Sequence, residues 1–256
     1  MDSREERRRT FDGVAELYDR LRPGYPDRLF EDVVALSAIP PGGRILEIGA
    51  GPGKATVEFA RRGFSMTCLE PGPNLARIAR RNLAAFAGVR IEESTFEDWP
   101  PADTAFDLVV AAQSFHFLDP APSLAKVARV LRAGGALALF GNRPEPGDSE
   151  ADRRIQEAFA HHAPALAGRE EEEPLEDRID ESGCFGTVFM SRYRGQLVHP
   201  AADYVGLMET QSHHQLLPPE QRARLLQAIG EAITAGGGSL VVRYVTRLRL
   251  AKRLAG

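Results

Sequence analysis

The sequence predicts an α/β fold with a parallel, doubly wound sheet. Short apolar runs alternate with segments of helical period between residues 44 and 140, a pattern typical of consecutive strand–helix–strand units. A glycine-rich turn follows the first of these runs. The chain has 256 residues, 43% of them hydrophobic, which is enough for one large domain or for a core with an appended cap.

Two helices are predicted before the first strand. Apolar side chains recur at helical spacing over residues 5–19, and the pattern stops at the segment RPGYP, whose prolines cannot continue a helix. A second helix is predicted over residues 27–38. We expect residues 1–40 to form a helical lid over a cofactor.

The first predicted strand, residues 44–48, leads directly into a turn with three glycines, Gly49, Gly51 and Gly53. Glycine suits positions where φ is positive or where a ligand must approach the main chain. Amide groups at the start of the following helix form a site for a polar or negatively charged group. A purely structural turn is the alternative.

Two classes of cofactor use such a turn. The dinucleotide fingerprint is G-x-G-x-x-G, whereas this chain has G-x-G-x-G with Glu47 two residues before the first glycine. A carboxylate would repel a pyrophosphate, but it attracts the cationic amino group of S-adenosylmethionine. The pattern therefore favours the methyl donor.

The second and third predicted strands, residues 64–69 and 89–93, also end in candidate cofactor contacts. Glu70 lies about twenty residues after the glycines, where a carboxylate can accept both ribose hydroxyls of an adenosine cofactor; a solvated turn residue is the alternative. After the third strand, Phe96 is placed to stack on an adenine base and Thr95 to hydrogen-bond it. Simple packing is the alternative for the aromatic residues of this loop.

The most continuous apolar run, residues 106–112, predicts a central strand that is buried on both faces. It leads to Gln113 and His116 at the C-terminal end of a strand, where open α/β sheets bind ligands. A helix over residues 123–132 and a strand over 136–140 continue the alternation.

The pattern becomes less regular after residue 144. We predict a helix over 149–166, a β-rich segment over 184–193, helices over 201–210 and 218–235, and a closing strand over 239–250. His213 or His214, after the third of these elements, is a candidate base. A histidine of this kind is more often a hydrogen-bonded packing residue.

Charge and composition argue against several classes of binding partner. The formal charge of -4 lacks the basic excess of nucleic-acid binders, and no apolar run approaches the roughly 18 residues of a membrane helix. The first residues lack the apolar segment of a signal peptide. We therefore expect a cytoplasmic protein without a nucleic-acid or membrane partner, and leave a homodimer open. The two cysteines form no CxxC pair, and we expect no metal site.

Six segments together resemble class I S-adenosylmethionine-dependent methyltransferases of the small-molecule type, the methyltransferase type 11/25-like group. They are LYDRLRPGYP, ILEIGAGPGKAT, LEPGPN, STFEDWP, FDLVVAAQSFHFLD and VLRAGGALALF, and they follow in the expected order over about residues 18–140. The resemblance implies a Rossmann-like, seven-stranded sheet with an antiparallel last strand, a helical N-terminal lid and an inserted cap. It divides the chain into a lid (1–40), a cofactor-binding core (41–145), and the cap insertion with the closing strands (146–256).

The same resemblance implies contacts with S-adenosylmethionine at Glu47, Gly49, Gly51, Glu70, Thr95, Phe96 and Gln113. Our full set of cofactor-binding candidates adds Tyr18, Arg22, Ala50, Gly53 and Pro71. Thr95 stands where many relatives have an acidic residue that faces the adenine amine. A hydroxyl makes one of those hydrogen bonds but adds no charge.

We expect methyl transfer to oxygen, nitrogen or carbon of a small-molecule acceptor, with positioning as the main catalytic effect. His116 and His213 are the candidate proton acceptors or substrate-positioning residues. The acceptor is expected between residues 113–117 and residues 210–214. Three alternatives are a methyltransferase acting on RNA or protein, a nicotinamide-dependent oxidoreductase, and a protein that binds the cofactor without turnover.

Overall fold

A computed structural model describes residues 3–100, 106–167 and 175–254. In these ranges the strands are β1 (Arg44–Ile48), β2 (Ser65–Leu69), β3 (Val89–Glu92), β4 (Phe106–Ala112), β5 (Leu131–Pro144), β6 (Phe189–Pro200) and β7 (Ser239–Lys252). The helices are α1 (Ser3–Asp12), α2 (Ala15–Leu21), α3 (Asp27–Ser37), α4 (Thr56–Arg61), α5 (Pro73–Asn82), α6 (Pro120–Val130), α7 (Glu150–His162), α8 (Leu175–Glu181), α9 (Ala201–Glu209), α10 (Ser212–Gln215) and α11 (Pro219–Ala235). A 3-10 helix covers Phe115–Phe117.

The strands form one sheet in the order β3-β2-β1-β4-β5-β7-β6. The pairs β1–β2, β1–β4, β2–β3 and β4–β5 are parallel. β7 is antiparallel to β5, since the Glu145 N–H donates to the Arg243 carbonyl while the Arg253 N–H donates to the Gly135 carbonyl. The predicted α/β class and seven-stranded sheet with an antiparallel last strand are confirmed.

The chain divides into two compact units. We call residues 24–142, 175–193 and 246–254 the core unit, and residues 3–23, 143–167 and 194–245 the helical unit, in each case for the described residues only. Each of the last three strands contributes residues to both units. The predicted division into 1–40, 41–145 and 146–256 stays a prediction.

Both faces of the sheet are covered in the core unit. Successive residues of β4 enter different apolar clusters, because side chains alternate between the faces of a strand. Leu108 packs in the cluster that contains Phe30 of α3, whereas Val109 packs in the cluster that contains Leu124 of α6. This two-sided burial explains why the sequence of β4 is a continuous apolar run.

The helical unit has an apolar core of its own. Ile155 of α7 packs in one cluster with Ile229 of α11. α9 lies close to α2 because Gly206 has no side chain: a Cβ there would lie 2.5 Å from the Leu21 Cδ1 atom. Among the described residues, no helix combines the length and the apolar character needed to cross a bilayer.

Several predicted elements differ in their bounds from the observed ones. Residues 5–19 form two helices rather than one, since the chain turns at Gly13 and Val14, and glycine is costly inside a helix. The helix predicted to residue 132 ends at Val130, because Leu131 already pairs with Phe106 of β4. The β-rich segment predicted over 184–193 begins later and runs on as β6 to Pro200.

Candidate functional site

The glycine turn after β1 is folded against the end of β2. The N–H groups of Gly49 and Ala50 both donate to the Leu69 carbonyl, at 2.8 and 3.0 Å. Gly49 and Gly51 have φ values of 69° and 57°, which strain any residue with a Cβ. The positive backbone angles therefore account for glycine at these two predicted positions.

The space around the turn differs from one glycine to the next. A Cβ on Gly49 would lie 2.6 Å from the Ser114 Cβ, and one on Gly53 would lie 2.8 Å from the Leu83 Cδ1. A Cβ on Gly51 would have no heavy atom within 4 Å. Gly49 and Gly53 are thus required by packing, whereas Gly51 leaves its main chain open to a ligand.

The Glu70 carboxylate accepts hydrogen bonds from the glycine turn and from the segment after β2. The Gly51 N–H donates to Oε2 at 2.8 Å and the Gly72 N–H donates to Oε1 at 2.9 Å. Glu70 is only 6% exposed. Each carboxylate oxygen can accept more than one hydrogen bond. This arrangement fits the predicted ribose contact, and Pro71 follows directly in the chain.

Glu47, the other predicted carboxylate, is fully buried. Its Oε2 accepts a hydrogen bond of 2.6 Å from the Thr56 hydroxyl, while its Oε1 is buried without a hydrogen-bond partner among the described residues. Burial raises the pKa of Glu47 to about 7, against the opposing hydrogen bond from Thr56. A buried oxygen without a partner is costly and unusual. It fits the requirement for an acceptor near a cationic amino group of S-adenosylmethionine.

Gln113, at the end of β4, has a left-handed backbone with φ of 56°. Its N–H donates to the Phe140 carbonyl at 2.8 Å, and its side-chain amide donates to the Asn142 carbonyl at 3.2 Å. The next residue, Ser114, donates its hydroxyl hydrogen to the Ile48 carbonyl. The end of β4 is thereby fixed beside the end of β1 and the glycine turn. Sequence reasoning missed Asn142, because its partners are distant in the chain.

The loop after β3 packs against the apolar core. The Phe96 side chain is 2% exposed in the apolar core, and the Lys126 ammonium lies 5.0 Å from its ring centroid. The Thr95 hydroxyl donates to Asp98 Oδ2 at 2.8 Å. Adenine stacking on Phe96 would require this ring to leave the core. The roles of Thr95 and Phe96 at the cofactor stay predictions.

The predicted cofactor residues Tyr18 and Arg22 belong to the helical unit. Arg22 donates to the Thr210 side chain at 2.8 Å, the Thr210 carbonyl at 2.9 Å and Gln211 Oε1 at 3.1 Å. Its guanidinium carbon lies 5.0 Å from the centroid of the Tyr18 ring. A cation at the end of α9 is favourable, since carbonyl groups are unpaired there. Arg22 therefore joins the end of α2 to that of α9, and its contact with the cofactor stays a prediction.

The histidines considered as proton acceptors occupy different surroundings. His116 lies in the core unit with its ring centroid 4.1 Å from that of Phe117, whereas His213 lies in α10 of the helical unit. The neighbouring His214 is 1% exposed, and its Nδ1 lies 2.6 Å from the Met208 carbonyl. Since a carbonyl only accepts, Nδ1 carries the proton. The catalytic roles of His116 and His213 stay predictions.

His214 carries a feature that the sequence did not reveal. Its Nε2 is buried and has no hydrogen-bond partner among the described residues. Burial lowers the pKa of His214, and the nearby charge of Arg22 lowers it further, against the hydrogen bond to Met208. The ring is therefore held neutral, with an unprotonated Nε2.

The core unit thus brings most of the predicted cofactor residues to one edge of the sheet. The set comprises Glu47, Gly49, Ala50, Gly51, Gly53, Glu70, Pro71 and Gln113. It combines a partly exposed main chain at Gly49 and Gly51 with the two buried carboxylates of Glu47 and Glu70. Such a site can hold a ligand that carries hydroxyl groups and a positive charge.

Comparison with known proteins agrees with this chemistry. Residues 46–139 match the family model of a methyltransferase domain. The chain is 27% identical over 249 residues to an uncharacterised methyltransferase of Mycobacterium tuberculosis, covering 95% of this chain and 96% of that protein.

Solved structures show the same fold. A structure described as a type II methyltransferase from Anaeromyxobacter dehalogenans has a TM-score of 0.61 at 23% identity, covering 92% of this chain and 99% of the other. Phosphoethanolamine N-methyltransferase 2 of Haemonchus contortus, in complex with phosphomonomethylethanolamine and S-adenosylhomocysteine, has a TM-score of 0.58 at 13% identity, covering 95% and 58%. The family model, the relative and the shared fold together support a class I S-adenosylmethionine-dependent methyltransferase.

The burial of Glu47 predicts a distinctive pH dependence of stability. Its pKa is about 7 in the folded protein, against 4.5 as the ordinary value. Between these values the folded state binds more protons than the unfolded state, so Glu47 makes the protein less stable as the pH rises. Glu47→Gln removes this effect. The free energy of unfolding of the variant, minus that of the natural protein, should therefore rise by on the order of 3 kcal/mol between pH 4.5 and a pH above 7.

Urea unfolding at a series of pH values measures this difference. The control is Glu31→Gln, which removes an exposed carboxylate on α3 and should leave the difference nearly constant with pH. A constant difference for Glu47→Gln as well would show that Glu47 ionises normally in the folded protein.

Proposed function

We propose that this methyltransferase binds S-adenosylmethionine at the glycine turn and transfers the methyl group to a small-molecule acceptor. The observation that carries the proposal is the pairing of an open main chain at Gly51 with the carboxylates of Glu47 and Glu70. Hydroxyl groups suit the carboxylate oxygens of Glu70, which accept hydrogen bonds. A cationic amino group suits Oε1 of Glu47, which has no hydrogen-bond partner in the described part of the chain.

The same groups argue against a dinucleotide. A pyrophosphate placed on the turn would lie near two carboxylates, and like charges repel strongly where the dielectric constant is low. Glu47 and Glu70 already raise each other's energy when both are ionised, and this repulsion adds to the raised pKa of Glu47. A cation relieves the repulsion, whereas a diphosphate increases it.

Catalysis in this proposal depends mainly on orientation. The bound cofactor supplies a methyl group on a sulfonium centre, and the transfer needs the acceptor atom in line with the departing sulfur. Glu47, Glu70 and the amides of the turn hold one partner in place, and positioning of this kind is worth roughly 7 to 11 kcal/mol. A base adds about 10² to 10⁴-fold where the acceptor atom is protonated. His116 and His213 are our candidates for it.

The acceptor in this proposal is a small organic molecule. The net charge of -4 disfavours docking on the phosphate backbone of a nucleic acid. The Haemonchus contortus enzyme is described with a small phosphorylated amine, but at 13% identity the likeness extends to the fold alone.

The acceptor class can be tested with S-adenosylmethionine that carries a labelled methyl group. The protein is incubated with this donor and with separate fractions of a cell extract. We expect the labelled methyl group to appear only in the low-mass fraction. Label in RNA or protein would instead support a macromolecular acceptor. Donor binding without transfer to any fraction would support a protein that binds the cofactor without turnover.

The donor site can be tested with Glu70→Ala. This variant loses a charged acceptor, and hydrogen bonds to such groups are worth roughly 1.5 to 3 kcal/mol. Calorimetric titration with S-adenosylhomocysteine should therefore show an affinity about tenfold to a hundredfold lower. Glu93→Ala is the matched control, because its carboxylate lies on the surface beside Arg80 and its loss should not change affinity.

Unchanged affinity in a folded Glu70→Ala protein would contradict the donor site. Thermal unfolding of the same samples separates this outcome from a loss of structure, since the backbone hydrogen bonds of Gly51 and Gly72 to Glu70 are also lost.

A further inference from the structure

Asn142, near the end of β5, makes hydrogen bonds to three distant segments of the core unit. Its side-chain nitrogen donates to the Gly24 carbonyl at 2.9 Å, and its Oδ1 accepts from the Thr246 hydroxyl at 2.6 Å. Its main-chain carbonyl accepts from the Gln113 side chain at 3.2 Å. Asn142 and Thr246 are both buried. One residue thus joins the ends of β4 and β5, the strand β7 and the segment before α3.

The partners fix the orientation of both amides. Carbonyl oxygens only accept hydrogen bonds, so the nitrogen of the Asn142 amide must face Gly24 and its oxygen must face Thr246. For the same reason the nitrogen of the Gln113 amide must face the Asn142 carbonyl. The oxygen of Gln113 then points away from the Asn142 carbonyl and can accept a hydrogen bond from a ligand.

Gln113 is held in a conformation that it does not favour. Its φ of 56° costs free energy for any residue except glycine. Its side chain also crosses Gly141 so closely that a Cβ there would lie 2.7 Å from the Gln113 Cγ. Glycine at position 113 would remove the strain at once. The presence of glutamine therefore indicates that the amide itself has a function.

The surroundings of the Asn142 side chain are tightly packed. Tyr25, the residue after Gly24, has its ring centroid 5.0 Å from that of Phe140. The main-chain carbonyl of Phe140 also accepts a hydrogen bond from the Gln113 N–H. A movement of Asn142 would consequently disturb the Gly24 segment and Gln113 together. Buried polar networks of this kind are stable only when every member is satisfied.

We propose that Asn142 is a positioning residue for donor binding, which holds Gln113 so that its amide oxygen accepts a hydrogen bond from an N–H or O–H group of the donor. Thr246 acts one step further out by fixing the Asn142 amide. This inference rests on the proposed function, because it assigns Gln113 to the donor site. It adds two residues, Asn142 and Thr246, that act on the donor only through another side chain.

The test is a thermodynamic cycle on affinity for S-adenosylhomocysteine, with Asn142→Ala and Gln113→Ala alone and combined. Gln113→Ala should weaken binding about twofold to tenfold, the range for one neutral hydrogen bond. Asn142→Ala keeps the main-chain carbonyl that Gln113 binds but loses the side-chain hydrogen bonds that hold this carbonyl in place. It should weaken binding by no more than Gln113→Ala does. The combined variant should bind no more than about twofold more weakly than Gln113→Ala, because Asn142 acts through Gln113.

A second pair of variants does not depend on the folding of Asn142→Ala. Thr246→Val removes the hydroxyl hydrogen and should weaken binding, whereas Thr246→Ser keeps the hydroxyl and should restore affinity to within about twofold of the natural protein. Thermal unfolding of every variant reports stability separately from affinity.

Three results would overturn the inference. They are unchanged affinity in a less stable Asn142→Ala protein, full addition of the two losses in the combined variant, or equal affinities for Thr246→Val and Thr246→Ser. No binding by the natural protein would overturn the proposed function as well, so the two failures can be told apart.

Discussion

The site depends on the hydrogen bonds between the glycine turn after β1 and the residues that end β2. Parallel pairing places Ile48 opposite Leu69, so the turn begins where Glu70 follows β2. The Leu69 carbonyl then accepts two N–H groups of the turn, and the Glu70 carboxylate accepts the next one, from Gly51. Glycines with positive φ allow the turn to follow this path. The register of two neighbouring strands thus decides the shape of the candidate site.

The two carboxylates of the candidate site have different surroundings. Glu70 accepts main-chain N–H groups on both oxygens. Glu47 is fully buried with one unpaired oxygen, and burial raises its pKa. A ligand that supplies a positive charge to Glu47 and hydroxyl groups to Glu70 satisfies both. Burial of the Glu47 carboxylate costs free energy of solvation, and a bound cation would offset part of that cost.

The sequence predicted those parts of the molecule that depend on local signals. Local signals include the glycines of a turn, an acidic residue at a strand end and a continuous apolar run. These signals follow one another at short spacing in the sequence, so they predicted the sheet and the position of residues 47–70 at the ends of β1 and β2. Contacts between distant polar side chains have no such spacing. The hydrogen bonds of Asn142 to Thr246 and of Arg22 to Thr210 span 104 and 188 positions. Phe96 could not be assigned from its motif either, because whether it packs inward depends on Lys126 and on the core.

The most direct measurement of the central claim is equilibrium binding to the natural protein, with S-adenosylhomocysteine and a nicotinamide dinucleotide titrated under the same conditions. We expect saturable binding of S-adenosylhomocysteine with one site per chain, and no binding of the dinucleotide, because its pyrophosphate would lie against Glu47 and Glu70. Binding of the dinucleotide without binding of S-adenosylhomocysteine would rule out a methyl-donor site at the glycine turn.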